Sequence, residues 1–454
     1  MFLPSRVVII DDNLTHIDGL LNALRSHQID AHAVHFKEET GVDGLNFPGM
    51  RVLFIDLHLV TGAGVGAGGN NDFAVLASIL DQIVDVDSGP YILILWTQHP
   101  DQFEGLNAYL DQLQDNSLDV RKKPVATFSL RKGDYINVVS GDVLPDSNLP
   151  NDVMERMTAN PQMKALFSWE ADVSAAMDAT LRSIIDLVPG DQRTTEDFGP
   201  ALGKVLFRLS QAGAGKDRAF EDPRSSVNRV LVPVLADRIS EHDPEGASSE
   251  YWNEALVEDP ARSAPVAVQA AINSAIHVSS ATSVHSKPIR PVDLGAVVDL
   301  PFEPTDENLI ASFGINSELI RSNKLFGVEN DAEWENCRLV LVQVGASCDH
   351  AQPNDGPLMY LLGIEWPFTE GAGDHNLREN KSIKKKLLEC RTPTLLVGDP
   401  PRPGKISVFL NLGMAATREE AEGWHARYRF RDELISYITQ EYARHISRPG
   451  IVSL

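Results

Sequence analysis

Four short, almost wholly apolar runs in the first third of the chain each lead to a polar side chain, and this limits the fold more than any other feature. Val7-Val8-Ile9-Ile10 ends at Asp11-Asp12, and Val52-Leu53-Phe54-Ile55 ends at Asp56. Ile92-Leu93-Ile94-Leu95-Trp96 ends at Thr97, and the run from Val125 to Leu130 is followed by Lys132. Apolar runs this short, alternating with helical stretches, predict strands of a parallel sheet covered on both faces. Ligand groups in such a sheet gather at the carboxyl ends of the strands. The four ends therefore bring a carboxylate pair, a lone carboxylate, a hydroxyl and an ammonium to one crevice.

That inventory suits phosphoryl transfer. A carboxylate can act as nucleophile and carry an aspartyl phosphate. Mg²⁺ takes oxygen ligands and offsets the charge of a moving phosphoryl group. In this reading Asp11 and Asp12 hold the metal, with Asp56 beside it. Lys132 pairs with the phosphoryl oxygens, and Thr97 hydrogen-bonds one of them.

On these residues, positions 1 to about 135 resemble the receiver domain of a two-component response regulator, and the domain is bounded at 1–140. That family carries an acidic pair after the first strand, the phosphorylated Asp after the third, Ser or Thr after the fourth and Lys after the fifth. The resemblance implies a doubly wound, five-stranded parallel α/β domain with Asp56 as phosphoacceptor and Asp12 as the more direct metal ligand. It implies a histidine kinase as partner, and it allows a homodimer through the fourth and fifth strands.

The chain departs from the family in three places. Lys-Pro stands at Lys123-Pro124, before the last apolar run and so at the wrong end of the sheet, whereas Lys132 stands at the correct end without a proline. The aromatic usual just before that lysine is missing, with Leu130 two residues upstream and Phe128 four. The stretch Thr61 to Gly69 (TGAGVGAGG) lacks the Gly-Lys-Ser/Thr of a P-loop and reads as a long connection rich in glycine. His58, two residues past Asp56, either screens the site from attacking water or faces solvent, and spacing does not decide between them.

At 454 residues the chain exceeds one typical domain, and its 43% hydrophobic content suffices for packed cores. The formal net charge of −24 argues against a nucleic-acid partner, because phosphate contacts need clustered Lys and Arg. The one dense basic run, Lys381 to Lys386, reads as a solvated face. Three cysteines, Cys337, Cys348 and Cys390, make no disulfide framework. The opening MFLPSRVVII lacks the layout of a signal peptide, and no stretch is long and apolar enough for a membrane span, so a cytoplasmic location without membrane partner is expected.

Beyond the receiver, Gly133 to Pro150 reads as a last helix or a linker, and 151–287 as a helical region. Its helical patterns lie at Asp172 to Val188, Ala201 to Leu209, Asn228 to Ile239 and Glu254 to Ile276. Residues 288–454 read as an α+β domain with strands near Leu339–Val344, Met359–Trp366, Thr394–Val397 and Ile406–Leu412. A closing helix is expected over about Ala426–Ile446.

Three functions are weighed. The first is a signalling protein phosphorylated on Asp56 with an output other than DNA binding. The receiver, together with a Gly-Ala-Ser-Cys-Asp turn at 345–349, resembles the buffering protein of the bacterial antiviral two-component system called Detocs. That resemblance implies a phosphate sink and a second response regulator as partner. The second is an enzyme with a C-terminal site around Cys348 and His350, or a metal held there with Cys337. No complete catalytic or metal set stands behind it, so enzymatic activity is not expected. The third is a degenerate receiver acting as a scaffold, against which stands the cost of burying three like charges without a cation.

Overall fold

The computed structural model describes residues 5–60, 70–86, 88–100, 104–113, 118–241, 248–258, 264–280, 287–315, 335–345, 350, 356–368 and 389–447. The chain divides into two compact units, Met1–Ala171 with Asp243–Val257, and Asp172–His242 with Glu258–Leu454.

The first unit is built on β1 (Val7–Asp11), β2 (His32–His35), β3 (Val52–Ile55), β4 (Ile92–Thr97) and β5 (Ala126–Arg131). They form one sheet in the order β2-β1-β3-β4-β5, with every pairing parallel. The apolar runs explain this, because a parallel sheet needs helices on both faces and so buries both faces of its strands. Val8, Ile10, Leu53, Ile55, Leu93 and Leu95 share one core with α2 (Asn70–Ile83) and α3 (Glu104–Gln112). Ile9, Phe54, Ile94 and Trp96 face the other way, towards α1 (Leu14–Arg25) and α4 (Leu149–Thr158). The connection from β2 to β3 has no helix, and buried Phe36, Val42 and Met50 fill that place. The fold is thus doubly wound, with a switch point between β1 and β3, where the chain leaves in opposite directions.

After β5, Lys132–Asp134 forms one 3₁₀ turn, and residues 135–148 pack as a loop before α4 begins. The stretch expected as helix or linker is therefore a docked loop followed by a helix. Gly141 holds φ +78°, and a Cβ there would lie 2.7 Å from the Thr15 carbonyl oxygen. A Cβ on Gly19 of α1 would meet the Gly141 carbonyl oxygen at 2.6 Å. Only glycine at both positions allows the loop to sit this close to α1. α5 (Pro161–Asp186) follows, and its Glu170 binds Arg51 in a forked pair, Nε to Oε2 at 2.8 Å and Nη2 to Oε1 at 3.0 Å. α9 (Ser248–Ala255) joins this unit, with the Gln162 amide donating to the Ala255 carbonyl at 2.9 Å.

The second unit contains α6 (Phe198–Ala214), α7 (Lys216–Glu221), α8 (Pro223–Ser240), α10 (Val266–His277) and an antiparallel sheet. Its strands are β6 (Val278–Ser280), β7 (Ala296–Asp299), β8 (Arg338–Val344), β9 (Leu358–Pro367), β10 (Glu389–Arg391), β11 (Leu395–Val397), β12 (Arg402–Ala416) and β13 (Ala426–Phe430). The order is β10-β12-β9-β8-β7-β13-β6, with β11 also paired to β12. One face packs on α11 (Asp306–Phe313) and α12 (Arg418–Glu422) through Leu309 and Ala421. The other packs on α13 (Asp432–Ile446) through Leu434, Ile435 and Ile438.

Helical middle region and sheet-rich end are as the sequence predicts, with three local differences. The stretch Glu254 to Ile276 is two helices, and Pro265 caps the second, since proline lacks the N–H that a continuous helix needs. β6 belongs to the sheet although it lies ahead of residue 288. The expected helix from Ala426 begins only at Asp432. Ala426, Tyr428 and Phe430 alternate with Arg427 and Arg429, which is the period of a strand, and the acids Asp432 and Glu433 then open the helix. Lys381–Lys386, Thr61–Gly69 and Cys348 lie outside the described residues.

Candidate functional site

The carboxyl ends of β1 and β3 meet at the switch point. Asp11 closes β1, and the Asp56 peptide N–H donates to the Ile10 carbonyl at 3.0 Å, which extends the β1–β3 ladder by one residue. Asp11, Asp12 and Asp56 each offer an oxygen, and these three atoms lie within 4.8 Å of one another. Asp11 Oδ1 accepts from the Asn13 N–H at 2.9 Å, and Asn13 in turn caps α1 by accepting from Thr15 N–H. The cap holds the acidic pair at the start of the helix.

Lys132 comes in from the end of β5. Its ammonium donates to Asp11 Oδ2 and to Asp56 Oδ2, each at 2.7 Å. The lysine is 1% exposed and Asp11 0%, so this pair sits in a low dielectric where charge-assisted bonds are strong. The third ammonium hydrogen meets His16 Nδ1 at 3.1 Å. His16 Nε2 lies 3.2 Å from the Val138 carbonyl oxygen. A lysine only donates and a carbonyl only accepts, so these two partners assign the ring proton to Nε2, and Asp11 Oδ1 lies 3.7 Å from Nδ1.

Burial pushes the Asp11 carboxyl above the usual aspartate range; the Lys132 charge opposes this and the Asp56 charge adds to it. One ammonium pairs with two of the three clustered carboxylates. The excess negative charge, the all-oxygen donor set and the spacing suit a hard divalent cation such as Mg²⁺. Among the described residues, this is the cluster of three or more His, Cys, Asp or Glu side chains able to hold a metal ion.

Thr97 closes β4, is buried, and accepts from the His99 N–H at 3.2 Å. The rings of His58 and His99 meet edge to face with centroids 5.8 Å apart. Each histidine stands two residues past a strand-end polar group, so their contact sets the ends of β3 and β4 side by side. His58 Nδ1 also lies 3.1 Å from Asp72 Oδ2 on α2. Lys123 is placed elsewhere, donating to the Leu113 carbonyl at 3.1 Å.

His16, His99 and Asp72 were not singled out by sequence reasoning. A signal existed for His16. It lies in helical phase with Leu20, Ala23 and Leu24, and so is a polar residue on the buried stripe of α1. His99 and Asp72 carry no such mark. For the alternative site, Cys337 packs beside the core of the second sheet, while Cys348 is outside the described residues.

Strand order, parallel register and the acidic cluster at the switch point fit a receiver domain. No family model matches the chain, and no curated protein matches it. Among solved structures, the chain is similar to full-length FixJ from B. japonicum at 11% identity, over 52% of this chain and 98% of that one, with a TM-score of 0.19. A likeness of that size adds nothing to the topology described above. No helix among the described residues is long and apolar enough to cross a membrane.

Proposed function

We propose that the N-terminal unit accepts a phosphoryl group on Asp56 within a two-component signalling pathway. One observation carries this reading: the Lys132 ammonium bridges Asp11 and Asp56 beside Asp12, at the carboxyl ends of β1 and β3. A histidine kinase is the donor. An Asp56 oxygen attacks phosphorus, the P–N bond of the donor phosphohistidine breaks, and its electron pair returns to the donor ring, which takes up a proton. In this proposal Lys132 binds a phosphoryl oxygen once the charge on Asp56 is spent on the new P–O bond, and the Thr97 hydroxyl holds another. Asp11, Asp12 and Asp56 would hold Mg²⁺, which supplies positive charge against the phosphoryl oxygens.

The formal net charge of −24 supports an output other than nucleic-acid binding. We extend the proposal to a phosphate sink that drains a kinase shared with a second response regulator, as in bacterial antiviral defence. The support is a receiver-like unit in a chain of formal net charge −24, together with the resemblance to the Detocs buffering protein.

The test is incubation with acetyl phosphate and Mg²⁺, followed by intact-protein mass spectrometry. One phosphoryl group, removed by hydroxylamine and absent from Asp56→Asn, is expected. No gain of mass, or an equal gain in the variant, would overturn the reading.

A further inference from the structure

We propose that His16 is a positioning residue that links Lys132 to the loop 135–144, so that the loop responds when Asp56 is phosphorylated. The inference rests on the phosphoacceptor reading above and deepens it.

The Lys132 ammonium has three hydrogens to donate. Asp11, Asp56 and His16 take one each, so Lys132 cannot turn towards a new acceptor without changing one of these bonds. Phosphorylation of Asp56 supplies such an acceptor, because it turns one carboxylate oxygen into the bridging oxygen of an acyl phosphate and sets charged phosphoryl oxygens beside it. The ammonium then follows the charge. His16 is nine-tenths buried and cannot turn to water to recover a lost bond. Its other nitrogen is tied to Val138, so a change at Nδ1 is passed to the loop backbone.

The loop is built to pass that change on as a unit. Asn137 N–H donates to the Asp142 carbonyl at 2.8 Å, Gly141 N–H to Asn137 at 2.7 Å and Leu144 N–H to Tyr135 at 2.9 Å. Ile136 and Val143 form a bridge. The Tyr135 ring packs on Trp96 of β4, with centroids 5.8 Å apart, and its hydroxyl donates to Asp152 of α4 at 2.8 Å. The chain from phosphoryl site to α4 therefore runs through contacts seen here, and it does not need the aromatic that the end of β5 lacks.

Hydrogen exchange on the full chain, with acetyl phosphate and Mg²⁺ as the probe, tests this. Intact mass gives the occupancy, and exchange is compared at equal occupancy. In the wild type the amides of Asn137, Gly141 and Leu144 should exchange several-fold faster after phosphorylation. In His16→Leu, which should phosphorylate more slowly, that change should vanish. In His16→Gln, whose amide can accept from Lys132 and donate to Val138, it should return. A separate reading needs no variant: the ring ¹⁵N resonances of His16 should shift on phosphorylation. An unmoved His16 resonance, or a loop response equal in wild type and His16→Leu, overturns the link and leaves the phosphoacceptor reading standing. Failure of the wild type to gain a phosphoryl group overturns both.

Discussion

Each of the two sheets buries a carboxylate, and they do so in different ways. In the parallel sheet, Asp11, Asp12, Asp56 and Lys132 come from the ends of three strands, and the loops that follow leave Asp12 partly exposed. In the antiparallel sheet, Glu365 stands two residues before the end of β9, paired with Arg338 of β8 and Ile406 of β12, and is 0% exposed. The Tyr428 hydroxyl donates to its Oε1 at 2.6 Å, and Arg427 Nε lies 3.5 Å from the same atom. Burial alone therefore does not mark a reaction site. What differs is that neighbouring strands pair Glu365 on both sides, whereas Asp11 is paired on one side only. Ends of parallel strands gather groups from several segments next to an opening, whereas the face of an antiparallel sheet seals a charge among its neighbours.

The comparison can be tested most strongly at Lys132. Lys132→Ala leaves Asp11 and Asp56 buried together without their cation, and should lower stability by about 3–5 kcal/mol in urea unfolding near neutral pH. Adding Asp11→Asn should restore part of that loss. If the double variant is no more stable than Lys132→Ala, the two carboxylates do not repel as the geometry requires.

A smaller effect is expected at the loop that docks on α1. Gly141→Ala forces a Cβ onto the Thr15 carbonyl at positive φ, and should cost about 1–3 kcal/mol. A neutral result in the same urea assay would mean that the loop does not dock closely on α1.

The least change is expected at Glu365, where the test is one of sign. Burial raises its carboxyl above the usual glutamate range and Asp299 adds to this, while the Tyr428 bond and Arg338 oppose it. A carboxyl raised in the folded state favours folding while protonated. That advantage is present below the unfolded value of about 4.3 and is lost as pH rises through the folded value. Wild type should therefore lose stability relative to Glu365→Gln as the pH is raised from about 4 towards neutrality. The opposite slope would show that Glu365 is held as a favourable ion.

Much of the first unit was legible in the sequence, because burial on both faces removes polar residues from a strand and leaves them only at its ends. Asp11, Asp56, Thr97 and Lys132 all stood out by that contrast. His16 did not, since a single polar residue on a helical stripe gives no sign of which strand end it will meet. The docked loop was hidden for a related reason. Gly141 belongs to a segment whose composition reads as a linker, and only its approach to Gly19 shows that it is packed. In the second unit the strands β8, β9 and β12 were visible as apolar runs. β13 was not, because its alternation with Arg427 and Arg429 was read together with the helix that follows.

The central claim is that Asp56 itself becomes the acyl phosphate. Borohydride reduction of the chain after treatment with acetyl phosphate and Mg²⁺ converts such an aspartyl phosphate to homoserine, and peptide mapping locates it. The account predicts homoserine at position 56. Homoserine at position 11 or 12 instead, or at no position, would contradict it.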